Sequence, residues 1–154
     1  MKMRRRLALL LLTLGASLMI AGGAGDLLLR TPPSAWDAVI GASAAALPSG
    51  AVRLLLTLLH SLGSALVAAG VAVLALVYGP LRRGERWAAA VIVVVTLLSD
   101  GVNAWGMASL GLEYFWGPLA FAGIVLLGVL VAFIPNSVFS SPLPEALRSG
   151  NGAT

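Results

Sequence analysis

A chain of 154 residues that is 59% hydrophobic and 10% charged has too little polar surface for a water-soluble domain. It contains no cysteine, which excludes disulfides, thiol redox chemistry and thiolate metal sites, and its single histidine argues against bis-histidine haem and multi-histidine metal centres. The pI of about 10.7 is compatible with nucleic-acid binding, but the basic residues cluster at the ends of apolar segments, so we expect no nucleic-acid partner.

Four apolar segments predict an all-α membrane protein, a four-transmembrane-helix bundle that forms one domain over residues 1–134. About 20 apolar residues in an internally hydrogen-bonded helix cross the hydrocarbon core of a bilayer. The predicted helices are residues 7–24, 53–79, 87–107 and 117–134. Pro80 and Pro135 end the second and fourth helices because proline cannot continue them, and Pro118 suits a first helical turn.

The first segment can also be interpreted as a cleaved signal peptide. MKMRRR resembles the basic start of such a peptide, and AGGAGD offers small residues for cleavage. Its apolar stretch is longer than the roughly 7 to 15 residues usual in signal peptides. The sequence therefore favours a retained helix.

The first outer loop is unusually apolar for a connection in water. Ser34 is predicted to cap a short interfacial helix over about residues 35–47, resting on the outer leaflet. The alternative is an irregular loop that covers the bundle. The end of the chain, residues 135–154, is rich in proline and serine and is predicted to be a mobile cytoplasmic tail.

Basic residues are distributed unequally between the two predicted sides of the membrane. One side holds Lys2, Arg4, Arg5, Arg6, Arg82, Arg83, Arg86 and Arg148. The other side holds Arg30 and Arg53. By the positive-inside rule, both termini and the turn GPLRRGERW are cytoplasmic, and the loops at 25–52 and 108–116 face outward.

Two stripes of polar side chains run along the second and third helices. They comprise Arg53, Thr57, His60 and Ser64 on one helix and Thr96, Ser99, Asp100 and Asn103 on the other. Both stripes are expected to face inward, because a carboxylate exposed to lipid costs about 2.5 to 3.5 kcal/mol.

His60 and Asp100 each lie roughly 10 Å from the outer end of their predicted helix, at a rise of 1.5 Å per residue. We therefore predict a proton- or ligand-binding pair at one depth, with Arg53, Asn103, Glu113 and Tyr114 nearer the outer mouth. The alternative is that the polar groups only hold the helices together.

No catalytic residue, metal site or cofactor is predicted. Ser61 or Ser64 with His60 and Asp100 is not taken as a hydrolase, because no oxyanion hole accompanies it and serine often bonds its own helix. Close-approach positions for packing within the bundle or in a homo-oligomer are Gly15, Gly22, Gly63, Ala68, Gly70, Ala120, Gly123 and Gly128.

The order of segments is characteristic as well. A first helix is followed by an outer connection of about 28 residues, Arg53 at the start of LLLTLLHSLGSALVAAG, the turn GPLRRGERW and two further helices. Over residues 5–134 this arrangement resembles the small DoxX-like four-helix proteins. The resemblance implies a bacterial inner-membrane bundle that assists redox or transport machinery, and it transfers no site residue.

The leading hypothesis is a non-enzymatic integral membrane protein. It would bind a partner, a lipid or a small apolar ligand in an outward-facing polar pocket near His60 and Asp100, surrounded by the bilayer and by a homo-oligomer or a membrane partner protein. Two alternatives are a small proton-coupled transporter using the same pair and a quinone-associated redox subunit using His60 with Trp105 and Trp116.

Overall fold

The computed structural model describes residues 2–133, and within that range every regular element is a helix. The described part of the chain contains four long helices, which are α1 (Lys2–Leu28), α2 (Ser49–Tyr78), α3 (Arg86–Ser109) and α4 (Trp116–Phe133). Each belongs to an apolar helical stretch long enough to cross a membrane, with mean hydropathy between 1.7 and 2.2. The prediction of an all-helical chain with four apolar segments is confirmed. The predicted tail and Ile134 lie outside the described residues.

The helices extend past several of the boundaries predicted from the sequence. α1 begins at Lys2 and ends at Leu28, because lysine, methionine and arginine before the predicted 7–24 and two leucines after it are all good helix formers. α2 begins directly after Pro48, whose φ of −57° lies in the narrow range that the proline ring allows. It ends at Gly79, whose N–H donates to the carbonyl of Ala75 at 2.9 Å.

The third helix contains a wider turn at its centre. The α-helical stretch Arg86–Thr96 passes into a π turn, Leu97–Gly101, and then into the α-helical stretch Val102–Ser109. Within this turn the N–H of Val102 donates to the carbonyl of Leu97, five residues back. The extra residue in the turn shifts the face that Val102–Ser109 presents to its neighbours.

α1 packs most extensively against α2 and α4, while α3 contacts α2 and α4. The α1–α2 contact is close because glycines face each other. A Cβ placed on Gly63 would lie 2.6 Å from the carbonyl oxygen of Gly23. A Cβ placed on Gly70 would lie 2.8 Å from the carbonyl oxygen of Ala16. Ala16 on α1 thus meets Gly70 on α2, and Gly23, later on α1, meets Gly63, earlier on α2, so the two helices are antiparallel.

The α1–α4 contact uses glycine on both sides. A Cβ on Gly128 would lie 2.9 Å from Cγ of Leu12, and one on Gly15 would collide with Val125. The fully buried apolar core draws on all four helices and consists of Leu12, Ala16, Val73, Val77, Ile92 and Val125. Large apolar side chains such as Leu10, Leu58 and Leu130 cover the outer surface, as expected for helices that face lipid.

The basic segments meet at one end of the molecule. Nε of Arg4 donates to the carbonyl of Val131 in the last turn of α4 at 2.9 Å, and the guanidinium of Arg5 donates to the carbonyl of Arg82. A guanidinium also suits the negative end of a helix dipole. The start of α1, the α2–α3 turn and the end of α4 therefore form one basic end.

The loop between α1 and α2 is not one helix. It contains a 3-10 turn at Ser34–Trp36, a single α-helical turn at Asp37–Ile40 and another 3-10 turn at Ala44–Ala46. The predicted helix over residues 35–47 with Ser34 as its cap is wrong. Pro33 occupies the cap position without a side-chain bond, and Gly41 breaks the segment with a φ of 74°.

Candidate functional site

The polar stripe of α2 does not face the interior, contrary to prediction. Arg53, Thr57 and Ser64 are exposed. The hydroxyl of Thr57 donates to the carbonyl of Arg53 at 2.9 Å, and that of Ser64 donates to the carbonyl of Ser61 at 2.8 Å. α2 turns its glycines toward α1 because backbone approach requires them there, and hydroxyls bonded within their own helix tolerate the outer face.

His60 is the half-buried member of that stripe. Its Nε2 lies 3.0 Å from the carbonyl oxygen of Leu29, just past the end of α1. A carbonyl can only accept, so Nε2 carries the hydrogen and donates it. His60 thus ties the middle of α2 to the end of α1. It forms neither a hydrogen bond nor an ion pair with Asp100 in the structure.

The polar stripe of α3 does face inward. Thr96 and Asp100 are buried, with 0% and 1% of their surfaces exposed, and Ser99 and Asn103 are half-buried. Thr96 and Asp100 are four residues apart, one helical turn, so they share a face. The π turn around Asp100 contacts α4 and α2.

Two polar atoms on this face have no hydrogen-bond partner among the described residues. They are Oγ1 of Thr96 and Oδ2 of Asp100. Ser99 between them is satisfied, because its hydroxyl donates to the carbonyl of Val95 at 2.8 Å. Most buried polar groups in proteins are paired, and π turns often occur at functional sites, so this pair requires an explanation.

A second polar feature lies between the two loops at the end opposite the basic residues. A depression of about 360 Å³ is lined by Ala35, Ala38, Val39, Leu110, Gly111, Leu112, Glu113 and Tyr114. Gly111 has a φ of 71°, a turn conformation that glycine adopts without strain. Of the residues predicted at the site, Glu113 and Tyr114 line this depression, whereas Arg53, Thr57, His60, Ser64, Asp100 and Asn103 do not.

The sequence matches no known protein family, and comparison with curated proteins and solved structures gives no significant match.

Several features of these sites were missed by sequence reasoning. Thr96 was placed on the inward stripe but not among the ligand-binding candidates, although its spacing from Asp100 was visible. The carbonyl of Leu29 as partner of His60, and the apolar wall from Ala35 to Val39, depend on how a loop folds back. No local sequence signal identifies such contacts.

Proposed function

We propose that this chain is a non-enzymatic, multi-pass protein of the bacterial inner membrane that binds a small amphiphilic ligand in the outward-facing depression beside Glu113. Its four long helices form a bundle, and both termini lie in the cytoplasm. The bilayer surrounds it, and a second copy or another membrane protein associates with its exposed faces.

The gathering of basic residues supports this orientation. Arg5 reaches the turn that carries Arg82 and Arg83, and Arg4 reaches the end of α4. Arg30 and Arg53 lie toward the other end. The positive-inside rule assigns the more basic end to the cytoplasm, so the end with the depression faces outward.

The depression is the observation that carries the binding function. Its volume of about 360 Å³ is within the range of sites for small molecules, which are mostly apolar with a few polar groups. Here alanine, valine and leucine form the walls, and the carboxylate of Glu113 and the hydroxyl of Tyr114 are the polar side-chain groups.

These walls favour a ligand with an apolar body and a head that donates hydrogen bonds. Glu113 is exposed and makes no ion pair with another described residue. An ammonium group would donate to its carboxylate, and the ring of Tyr114 would attract the same positive charge. A lipid with an amine head or an alkylamine has this chemistry.

Calorimetric titration with octylammonium tests the proposal, using the protein in lipid nanodiscs and subtracting the signal of empty nanodiscs. Ala38→Trp should block binding by filling the depression. Glu113→Gln should weaken it roughly 10-fold, since a hydrogen bond to a charged group contributes about 1.5 to 3 kcal/mol. Octanol, which lacks the charge, should bind more weakly than octylammonium.

The matched control is Ala45→Trp, which adds the same ring to an exposed alanine of the same loop outside the depression. It should bind octylammonium like the wild type. The proposal fails if Ala38→Trp and Glu113→Gln also bind with wild-type affinity.

The proton-coupled transporter and the quinone-associated subunit stay alternative predictions. The first was based on a His60–Asp100 pair, and His60 bonds Leu29 instead. The second was based on Trp105 and Trp116, which are exposed on the outer surface.

A further inference from the structure

The unpartnered pair on α3 lies apart from the depression and is not used by the proposed function. Only 1% of the surface of Asp100 is exposed, and Thr96 is fully buried. Thr57, Ser64, Ser99 and other hydroxyls of the chain donate to carbonyls of their own helix, whereas Thr96 does not. A buried polar atom without a partner destabilises the folded protein, and a buried charge without a partner does so more strongly.

A hydrogen bond between Thr96 and Asp100 would remove the cost, since a hydroxyl donates readily to a carboxylate. The two side chains share a face but form no such bond. A proton joins two oxygens only over hydrogen-bond distance, about 2.5 to 3.0 Å between oxygens. A cation binds each oxygen separately, at roughly 2.3 to 2.6 Å for one the size of calcium, and so bridges oxygens that do not touch.

The ionisable side chains on the helices that contact the π turn indicate the charge that a ligand of Asp100 should carry. α4, which packs against the π turn, has no ionisable side chain, and α2 has Arg53, His60 and Tyr78. Arg53 is exposed near the start of α2, His60 bonds Leu29, and Tyr78 shares a hydrogen bond of 2.9 Å with Thr13. None of these groups is ion-paired with Asp100, so an ionised carboxylate there carries one negative charge, which one monovalent cation balances.

We infer that Asp100 and Thr96 bind a monovalent alkali cation within the membrane-spanning part of α3, with sodium as the probe ion. The carboxylate at the π turn supplies the charge, and the hydroxyl of Thr96 supplies a neutral oxygen. Carboxylate, hydroxyl and carbonyl oxygens are the ligands that hard cations prefer.

Thermal unfolding in detergent micelles tests this inference. Sodium chloride replaces choline chloride at constant ionic strength and pH. A ligand that binds only the folded protein at a hundredfold excess over its Kd should raise the Tm of a domain this size by roughly 5 to 10 °C. Asp100→Asn and Thr96→Val should lose this sodium-dependent rise, and Asp100→Asn should remain folded because it removes a buried charge without changing the shape.

Two variants serve as matched controls. Thr57→Val removes an exposed hydroxyl from α2, and Glu113→Gln removes a carboxylate from the outer loop. Both should keep the full sodium response, so failure of the octylammonium site and failure of this site are distinguishable. Titration of the wild type with sodium by calorimetry gives a second readout that does not require a mutant to fold.

Three results would overturn the inference. One is a Tm that is the same in sodium and choline. Another is a sodium response that persists in Asp100→Asn. The third is an Asp100-dependent response to pH alone, because a proton rather than a metal cation would then occupy the site.

Discussion

Single glycines determine how closely the helices approach. In α1 and α2, Gly23 and Gly63 face each other across the contact, and a Cβ on Gly63 would lie 2.6 Å from a backbone oxygen and 2.8 Å from Cβ of Asp26. Neither atom is the end of a flexible side chain, so a methyl group there forces the backbones apart. Close packing of this kind replaces the hydrophobic driving force that is missing inside a bilayer.

Gly63→Ala should therefore lower the free energy of unfolding by about 1 to 3 kcal/mol, the usual cost of overpacking. Gly123 is the matched control, since it is a helical glycine whose added Cβ would meet nothing within 4 Å. Gly123→Ala should leave stability unchanged or raise it by up to about 1 kcal/mol. Unfolding by dodecyl sulfate in mixed micelles measures both variants. Equal losses in the two would contradict the packing explanation.

His60 acts at the same scale, through one hydrogen bond to the carbonyl of Leu29. His60→Ala should destabilise the protein by about 1 kcal/mol and increase hydrogen exchange in the segment that follows α1. Ser64→Ala, one turn away, removes an exposed hydroxyl bonded within its own helix and should change little. If His60→Ala leaves exchange after α1 unchanged, the tether does not hold that loop.

At the scale of elements, the sequence predicted the number and approximate positions of the helices because apolar length is a local property. It did not predict which face of α2 turns inward. Two stripes compete on that helix, one polar and one of glycines, and the glycines face α1 because only they allow backbone contact. Which stripe faces the interior depends on the helix that packs against α2, and no local sequence pattern identifies that helix.

The π turn of α3 was also not predicted. The composition of LLSDG does not by itself indicate a π turn, and in the folded protein this turn contacts α4 and α2, which no local pattern reveals. The inward position of Thr96 and Asp100, by contrast, followed from their spacing and from the cost of a carboxylate in lipid. The burial of these polar side chains was thus easier to predict from the sequence than the π turn of the backbone that carries them.

Deleting one residue tests the role of this turn. Leu98 is exposed within the π turn, so its removal should leave an ordinary α turn and keep the flanking stretches on their present faces. The protein should still fold, with a Tm within a few degrees of the wild type.

Deleting Val91, which is exposed in the regular α-helical stretch, is the matched control. It should rotate the rest of α3 by about 100° and expose Asp100 to lipid, with severe loss of folded protein. Size-exclusion chromatography and thermal unfolding compare the two. Similar loss in both would mean that the π turn does not absorb a residue.

At the scale of the whole molecule, charge divides the protein into two ends. The basic end is held together by bonds from Arg4 and Arg5 to backbone carbonyls of α4 and of the α2–α3 turn. The other end carries the two loops with the depression between them. The basic end and the end with the depression therefore lie on opposite sides of the apolar helix surface. Once the side of the membrane is known for one end, it is known for the other.

The absence of cysteine allows that orientation to be measured directly, because each introduced cysteine is the only one in the chain. Ser43→Cys in the first loop should react with a membrane-impermeant maleimide in intact cells. Arg83→Cys in the basic turn should react only after permeabilisation, since the positive-inside rule assigns that turn to the cytoplasm. Both positions are exposed, so a difference between them reports the side of the membrane rather than burial. Labelling of Arg83→Cys in intact cells would reverse the orientation and place the Glu113 depression on the cytoplasmic side.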